Sequence, residues 1–124
     1  MPFSDAYKNK ILNATLNNIP VGPVNTFLGL FLNVPTTSSP LGMEVGDPTY
    51  QRLPITLTVN GNVAEHLTSF SFSASADWGF ITGFGIFNGH SGNDLMFYDT
   101  WENVYLAQEN EQYIINKIRL TFVP

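Results

Sequence analysis

The segment WGFITGFGIF, residues 78–87, combines aromatic, β-branched and glycine residues in an order that favours an extended strand. Its alternation places Trp78, Phe80, Thr82, Phe84 and Ile86 on one face and Gly79, Ile81, Gly83, Gly85 and Phe87 on the other. Glycine on one face of a strand leaves room for a neighbouring backbone or aromatic ring, or marks a bulge. The segment therefore predicts a strand with close neighbours.

The sequence after this strand predicts two hairpins. The polar segment NGHSGND, residues 88–94, is typical of a turn, and LMFYDTW, residues 95–101, returns as the paired strand. A last hairpin is predicted from strands at 104–107 and 113–123, joined by the turn QENE. Asn116 interrupts the apolar face of its second strand, so its amide requires a hydrogen bond across the sheet or a nearby bulge.

The segments before residue 78 also alternate with a period of two. Residues 24–33 are apolar on both faces, which is typical of a central strand. Residues 53–59 and 68–74 alternate apolar residues with Thr or Ser, so each predicts a half-buried strand. Pro54 indicates an edge or a first strand position, and Asn60-Gly61 predicts a turn. Residues 34–48 contain three prolines and two glycines and predict a long surface loop.

A helical pattern occurs at the N-terminus. Ser4 can cap a helix, and Asp5 lies where the positive end of the helix dipole favours a carboxylate. The spacing predicts a helix over residues 5–16. Residues 19–23, IPVGP, cannot continue it because proline lacks the amide proton and clashes with the preceding turn.

One short N-terminal helix followed by about seven or eight strands predicts a mainly β fold, an antiparallel β-sandwich of jelly-roll type. The chain has 124 residues, the length of one domain. We therefore expect a single domain over 1–124, with a helical arm at 1–18 and the sandwich at 24–123.

The composition favours contact with other proteins. Only 12% of residues are charged, whereas 14% are aromatic, and thirteen Asn and eleven Thr supply uncharged polar surface. Obligate interfaces are likewise apolar and poor in charge. The net charge of -5 opposes nucleic-acid binding, and no apolar run reaches the roughly 20 residues that span a membrane. The N-terminus lacks the pattern of a signal peptide, and the absence of cysteine excludes disulfides and thiolate ligands.

The chain contains residue types that serve in catalysis, but their spacing matches no known catalytic or metal-binding motif. The two histidines, His66 and His90, do not form a zinc motif, and residues 90–94 lack the acidic pattern of a calcium loop. Ser91, His66 and Asp99 could be combined as a triad, but the nucleophile-elbow motif is absent. The carboxylates Asp77, Asp94, Asp99 and Glu102 fit solvated turns and sheet faces. We expect no enzymatic activity, no metal and no cofactor.

Exposed aromatic side chains would indicate carbohydrate binding, because the C–H face of a sugar stacks on Trp or Tyr. The candidates are Trp78, Trp101, Tyr98 and Tyr105. Aromatic residues at alternating strand positions are usually core residues, so we expect about three in four to be buried.

Five segments together carry a resemblance to a known family. They are F-S-D-x-x-x-N-K-I-L at 3–12, F-L-G-L-F at 27–31, E-V-G-D-P-x-Y-x-R at 44–52, W-G-x-I-T-G-F-G-I-F at 78–87 and L-M-F-Y at 95–98. The chain resembles small virion structural proteins of tailed bacteriophages, described as head-decoration or tail-fibre-like proteins. The likeness extends from Phe3 to Val123.

The resemblance implies a β-sandwich that assembles on a phage particle and has no catalytic residues. The function expected first is a capsid decoration or cement protein that binds between major capsid subunits. The alternative is a tail or receptor-binding, fibre-like component that recognises a host surface glycan. The resemblance also implies a homotrimer, a virion location after assembly in the host cytoplasm, and the major capsid protein or other virion subunits as partners. The predicted partner contacts are Phe3, Tyr7, Ile11, Leu12, Leu41, Met43 and Tyr50.

Overall fold

A computed structural model describes residues 3–20, 22, 24–36, 42–66, 69–74, 76–115 and 118–121. The helix is α1 (Asp5–Leu16). The strands are β1 (Thr26–Asn33), β2 (Met43–Glu44), β3 (Leu53–Pro54), β4 (Thr58–Asn60), β5 (Val63–His66), β6 (Phe70–Ser73), β7 (Gly79–Asn88), β8 (Leu95–Ala107), β9 (Gln112–Ile115) and β10 (Ile118–Thr121). The predicted helix is confirmed.

The strands form three antiparallel sheets. The largest has the order β2-β1-β7-β8, and β3 pairs with β1 beside β2. A second sheet has the order β10-β5-β4, and β6 pairs with β9 in a third. The predicted central position of β1 is confirmed, since it pairs with β7 on one side and with β2 and β3 on the other.

One hydrophobic core joins the three sheets. Leu28 and Ile86 from the largest sheet lie in the same buried cluster as Ala64 from β5 and Phe72 from β6. A smaller buried cluster of Phe31, Phe87 and Leu95 belongs to the largest sheet as well. The protein is therefore mainly β with antiparallel sheets and one helix, as predicted, in a sandwich-like arrangement.

The predicted faces of the 78–87 segment are wrong in part. Phe80 is 60% exposed, whereas Trp78, Ile81 and Phe84 are buried together. Gly79 has a φ of +99°, which interrupts the regular alternation directly before Phe80. The pairing also shifts on β8, where Tyr105 opposes Ile81 but Thr100 opposes Gly83. This bulge changes which face the following side chains take.

Three other predictions from the sequence need correction. Residues 53–59 form the two short strands β3 and β4, in different sheets, and not one strand. The 34–48 segment contains β2, which pairs with β1, and Val45 after it is buried in the core and donates its amide to the Leu30 carbonyl. The last hairpin does not form, since residues 104–107 continue β8 while β9 pairs with β6 and β10 with β5.

A turn follows β4 as predicted, but its two loop residues are Gly61, with a φ of +63°, and Asn62, because Asn60 still pairs with Val63 as the last residue of β4. Long-range partners decide strand assignment where the local pattern is ambiguous.

The predicted contact of Asn116 has no outcome here, because Asn116 lies outside the described residues. The division into an arm and a sandwich stays a prediction.

Candidate functional site

An open cleft of about 400 Å³ lies between the β2 region and the turn at residues 88–94. Its lining residues come from two separate parts of the chain: Glu44, Val45, Gly46, Asp47, Tyr50, Gln51 and Arg52 on one side, and His90, Ser91, Gly92 and Asn93 on the other. The pairing of β1 with both β2 and β7 brings these two sides together.

An ion pair between Arg52 and Glu44 lies beside this cleft. Arg52 donates from Nε to Glu44 Oε2 and from Nη2 to Glu44 Oε1, both at 2.8 Å. The side chain of Arg52 is 6% exposed and that of Glu44 is 22% exposed. A guanidinium and a carboxylate in this two-point geometry form a strong, directional pair.

Arg52 also holds the opposite wall of the cleft. Its Nη1 donates to the Gly89 carbonyl at 3.2 Å, and its Nη2 donates to the Gly92 carbonyl at 2.6 Å. The guanidinium carbon lies 3.6 Å from the centroid of the Phe87 ring, a cation–π contact. One side chain thus fixes the 88–94 turn relative to β2.

Tyr50 completes the buried polar network. Its hydroxyl donates to Glu44 Oε2 at 2.6 Å and accepts from the Leu30 amide at 2.9 Å. Burial, and secondarily the Glu44 carboxylate, raise the pKa of Tyr50 above its ordinary value of 10.0. Gly29 permits this approach, since a Cβ there would lie 2.8 Å from Glu44 Oε2 and 2.7 Å from the Phe87 ring.

The rim of the cleft is polar. The Thr49 side chain and amide donate to Asp47, which lowers the pKa of Asp47 below its ordinary value, so this carboxyl is ionised at neutral pH. Gln51, Ser91 and Asn93 are exposed, and their side chains form no hydrogen bonds with other residues that the structure describes. The rim therefore offers neutral donors and acceptors beside one carboxylate.

Helix α1 packs on the edge strand β8. Ser4 caps it, because its Oγ accepts from the Tyr7 amide at 3.2 Å, and Ser4 also donates to the Leu95 carbonyl. The Tyr7 ring packs against Phe97 with 5.1 Å between centroids. Lys10 pairs with Asp94 at 3.3 Å. These contacts fasten one side of the helix and leave the other exposed.

The exposed side of the helix carries two leucines beside polar residues such as Asp5, Lys8 and Asn9. Leu12 and Leu16 are 56% and 73% exposed, and Ile19 just beyond the helix is 55% exposed. Residues at i and i+4 share one face of a helix, so Leu12 and Leu16 form a single apolar stripe. We refer to Leu12, Leu16 and Ile19 as the helix stripe.

The predicted partner contacts fall into different environments. Leu12 and Met43 are exposed, and Ile11 is half-buried on the helix. The rings of Phe3 and Tyr7 pack on Phe97, and Tyr50 is bonded inside the cleft network. Leu41 lies outside the described residues. The role of all seven as partner contacts stays a prediction.

The residues considered for catalysis lie on different elements. His66 is on β5, where its Nδ1 lies 2.8 Å from the Thr56 carbonyl, and Asp99 is on β8. Ser91 and His90 line the cleft, where the His90 ring packs on Phe27 with 5.6 Å between centroids. Among the residues that the structure describes, no three His, Asp or Glu side chains form a group that could hold a metal ion.

The other carboxylates that the sequence suggested for catalysis accept hydrogen bonds from neighbouring groups. Asp77 Oδ1 accepts from the Glu109 amide at 2.8 Å, and Asp99 Oδ1 accepts from the Thr100 amide at 2.8 Å. Asp94 accepts from Lys10 and from the Asn88 amide group. The side chain of Glu102 lies outside the described part of the structure. These contacts fit turn and strand positions.

The aromatic candidates for sugar stacking are mostly covered. Trp78 is buried, and Trp101 and Tyr98 are half-buried against the two hydrophobic clusters. Tyr105 is 49% exposed and packs edge-on against Trp101. One of the four is thus buried and two are half-buried, fewer buried rings than the predicted three in four.

Sequence reasoning did not single out the cleft. Glu44, Tyr50 and Arg52 all occur in the E-V-G-D-P-x-Y-x-R segment. Their closeness in the sequence was the signal that could have indicated the cleft. Their pairing depends on β2 folding back on β1, which the predicted loop at 34–48 did not anticipate.

The described structure shows an antiparallel β protein whose surface includes a polar cleft and exposed apolar side chains on α1. No helix among the described residues is long and apolar enough to cross a membrane.

The chain matches the family model described as Podophage GP4 fiber I protein gp80 over residues 2–122, and it belongs to this family. No match is found among curated proteins. The match confirms the resemblance to small virion structural proteins of tailed phages, and it supports a structural role as a component of the virion.

Proposed function

We propose that the chain is a structural subunit of a podophage fibre and acts through protein contacts without catalysis. The match to the family over residues 2–122 carries the proposal, because the family description names a fibre protein. The helix stripe supports it, since contiguous exposed apolar side chains are typical of surfaces that a partner covers.

The proposed partners are other virion subunits and further copies of the chain. A homotrimer is the proposed assembly, as the resemblance to virion proteins of tailed phages implies, and a head-to-tail interface would close such a ring. The low content of charged residues, 12%, favours permanent contacts over transient ones.

Head decoration is the function that the sequence suggested first, and it would use the same kind of apolar surface. The two roles differ in number of copies and in location. A decoration protein occupies the repeated sites of the capsid in roughly hundreds of copies, whereas a fibre component is present in roughly a few dozen copies or fewer.

Quantitative mass spectrometry of purified particles, with the major capsid protein as the internal standard, tests the proposal. We expect the low copy number of a fibre, and antibody labelling at fibres in electron micrographs. Hundreds of copies per particle, with labelling spread over the head, would overturn the fibre role and establish decoration.

A further inference from the structure

The cleft beside the Glu44–Arg52 pair has the features of a preformed ligand site. Its volume of about 400 Å³ lies within the range of small-molecule pockets, roughly 300–1,000 Å³. Both walls are held in place, because Arg52 bonds to Glu44 on one side and to the Gly89 and Gly92 carbonyls on the other. A ligand therefore meets walls that are already ordered, which reduces the entropic cost of binding.

The charged pair fixes the geometry of the cleft wall. Replacing a buried ion pair with apolar side chains of similar size is often neutral or stabilising, so burial of a pair is weak evidence for a stabilising role. Here the pair, together with the Tyr50 hydroxyl, fixes the wall of the cleft, and the rim side chains take no part in this network.

The hydrogen-bonding groups and charges on the rim indicate which class of ligand the cleft can bind. Gln51, Ser91 and Asn93 present neutral amides and a hydroxyl that can both donate and accept hydrogen bonds. Arg52 is largely buried and paired with Glu44, so it is a weak attractor for an anion, and the Asp47 carboxylate opposes one. A cleft with this rim is too polar for a purely apolar ligand.

We propose that this cleft binds an uncharged saccharide. Sugar hydroxyls pair with amide, hydroxyl and carboxylate groups, and the exposed His90 ring, packed on Phe27, offers a flat surface beside them. The aromatic residues that the sequence suggested for sugar stacking, such as Trp78, do not line the cleft. The proposal deepens the alternative of glycan recognition and does not depend on whether the chain assembles as a fibre or on the head.

Saturation-transfer NMR with the full chain tests the proposal, using galactose, glucose, N-acetylglucosamine and rhamnose as separate probes. The Gln51→Ala, Asn93→Ala double variant removes two exposed rim amides. The Asn9→Ala, Gln108→Ala double variant removes two exposed amides away from the cleft and serves as the control. We expect at least one sugar to bind, with a Kd raised at least about tenfold in the rim variant and unchanged in the control.

Amide chemical shifts of the unmodified protein give a second readout that needs no variant. The bound sugar is expected to shift the amide signals of residues 44–52 and 88–93. The proposal is overturned if none of the four sugars binds, if shifts occur elsewhere only, or if the control variant loses binding equally. Binding of inorganic phosphate at the cleft in place of the sugars would overturn the choice of an uncharged ligand.

Particle assembly separates this proposal from the fibre role. A rim variant that enters particles normally but loses sugar binding supports the cleft as a saccharide site. Loss of sugar binding does not bear on copy number, and a copy number typical of the head does not bear on sugar binding.

Discussion

At the scale of one residue, the structure of the cleft depends strongly on the side chain of Arg52. Its guanidinium joins Glu44, two loop carbonyls and the Phe87 ring. The variant Arg52→Ala leaves the Glu44 carboxylate partly buried without its cation. We expect the free energy of unfolding to fall by about 2–4 kcal/mol, since removing one member of a buried pair exposes the cost of burying the other. Urea unfolding followed by tryptophan fluorescence measures the change.

The exposed pair of Lys8 and Asp5 provides the control. These atoms lie 3.6 Å apart with side chains that are 57% and 85% exposed. Because exposed pairs contribute little, Lys8→Ala is expected to change the free energy of unfolding by about 0.5 kcal/mol or less. Equal effects of Lys8→Ala and Arg52→Ala would show that the buried network has no special importance.

Tyr50 makes the same network sensitive to high pH. Because its pKa is raised in the folded protein, the neutral phenol stabilises the fold fully below the ordinary pKa of 10.0, and this contribution is lost as the pH rises above it. We expect unfolding free energy to decline more steeply above that pH in the unmodified protein than in Tyr50→Phe. While both proteins remain folded, their tyrosinate absorbance should rise equally. An excess in the unmodified protein would show that Tyr50 ionises in the fold.

At the scale of paired elements, the close approach of β7 to β8 depends on a glycine. A Cβ at Gly83 would lie 2.3 Å from the Asp99 carbonyl oxygen and 2.6 Å from Val34. We expect Gly83→Ala to lower the free energy of unfolding by about 1–3 kcal/mol, because the backbone of β8 must move. Gly46→Ala is the control, since no atom lies within 4 Å of its Cβ position. Thermal unfolding compares the two, and equal stability of both variants would contradict the close approach.

Local patterns predicted those elements that local interactions determine. The helix was predictable because Ser4 caps its start and the proline-containing segment that follows Asn17 and Asn18 cannot extend it. The turn after β4 was predictable because Gly61 tolerates positive φ. The exposure of Phe80 was not predictable, because it depends on the conformation of Gly79 and on a bulge in the partner strand β8. The pairing of β9 with β6, and not with residues 104–107, depends equally on distant segments.

The cleft was harder to predict than the elements. Arg52 and Glu44 are separated by several residues of irregular structure, and their two-point contact exists only after β2 pairs with β1. The opposite wall comes from the turn after β7, and nothing in the local sequence specifies that its Gly89 and Gly92 carbonyls accept from Arg52. Long-range pairing of the sheet thus creates the site.

At the scale of the whole molecule, two of the exposed apolar surfaces among the described residues are candidates for the assembly contact. The helix stripe is one, and the other includes Phe80 and Val104, which are 60% and 53% exposed near the end of the β7–β8 pair. The helix stripe is favoured as the assembly contact because little of the fold depends on the outer face of the N-terminal helix. Each surface can be altered without changing a buried side chain.

The variant Leu12→Gln, Leu16→Gln tests the helix stripe. Glutamine is a good helix former, so we expect the free energy of unfolding to change by about 0.5 kcal/mol or less, while self-association weakens at least about tenfold because an apolar contact is lost. Sedimentation equilibrium measures association, and incorporation into particles provides the second measurement. Phe80→Gln is the matched control on the other surface, expected to associate normally. If Phe80→Gln abolishes association while the helix variant assembles, the contact lies on the sheet, because only the surface that a partner covers can respond to the loss of its exposed apolar groups.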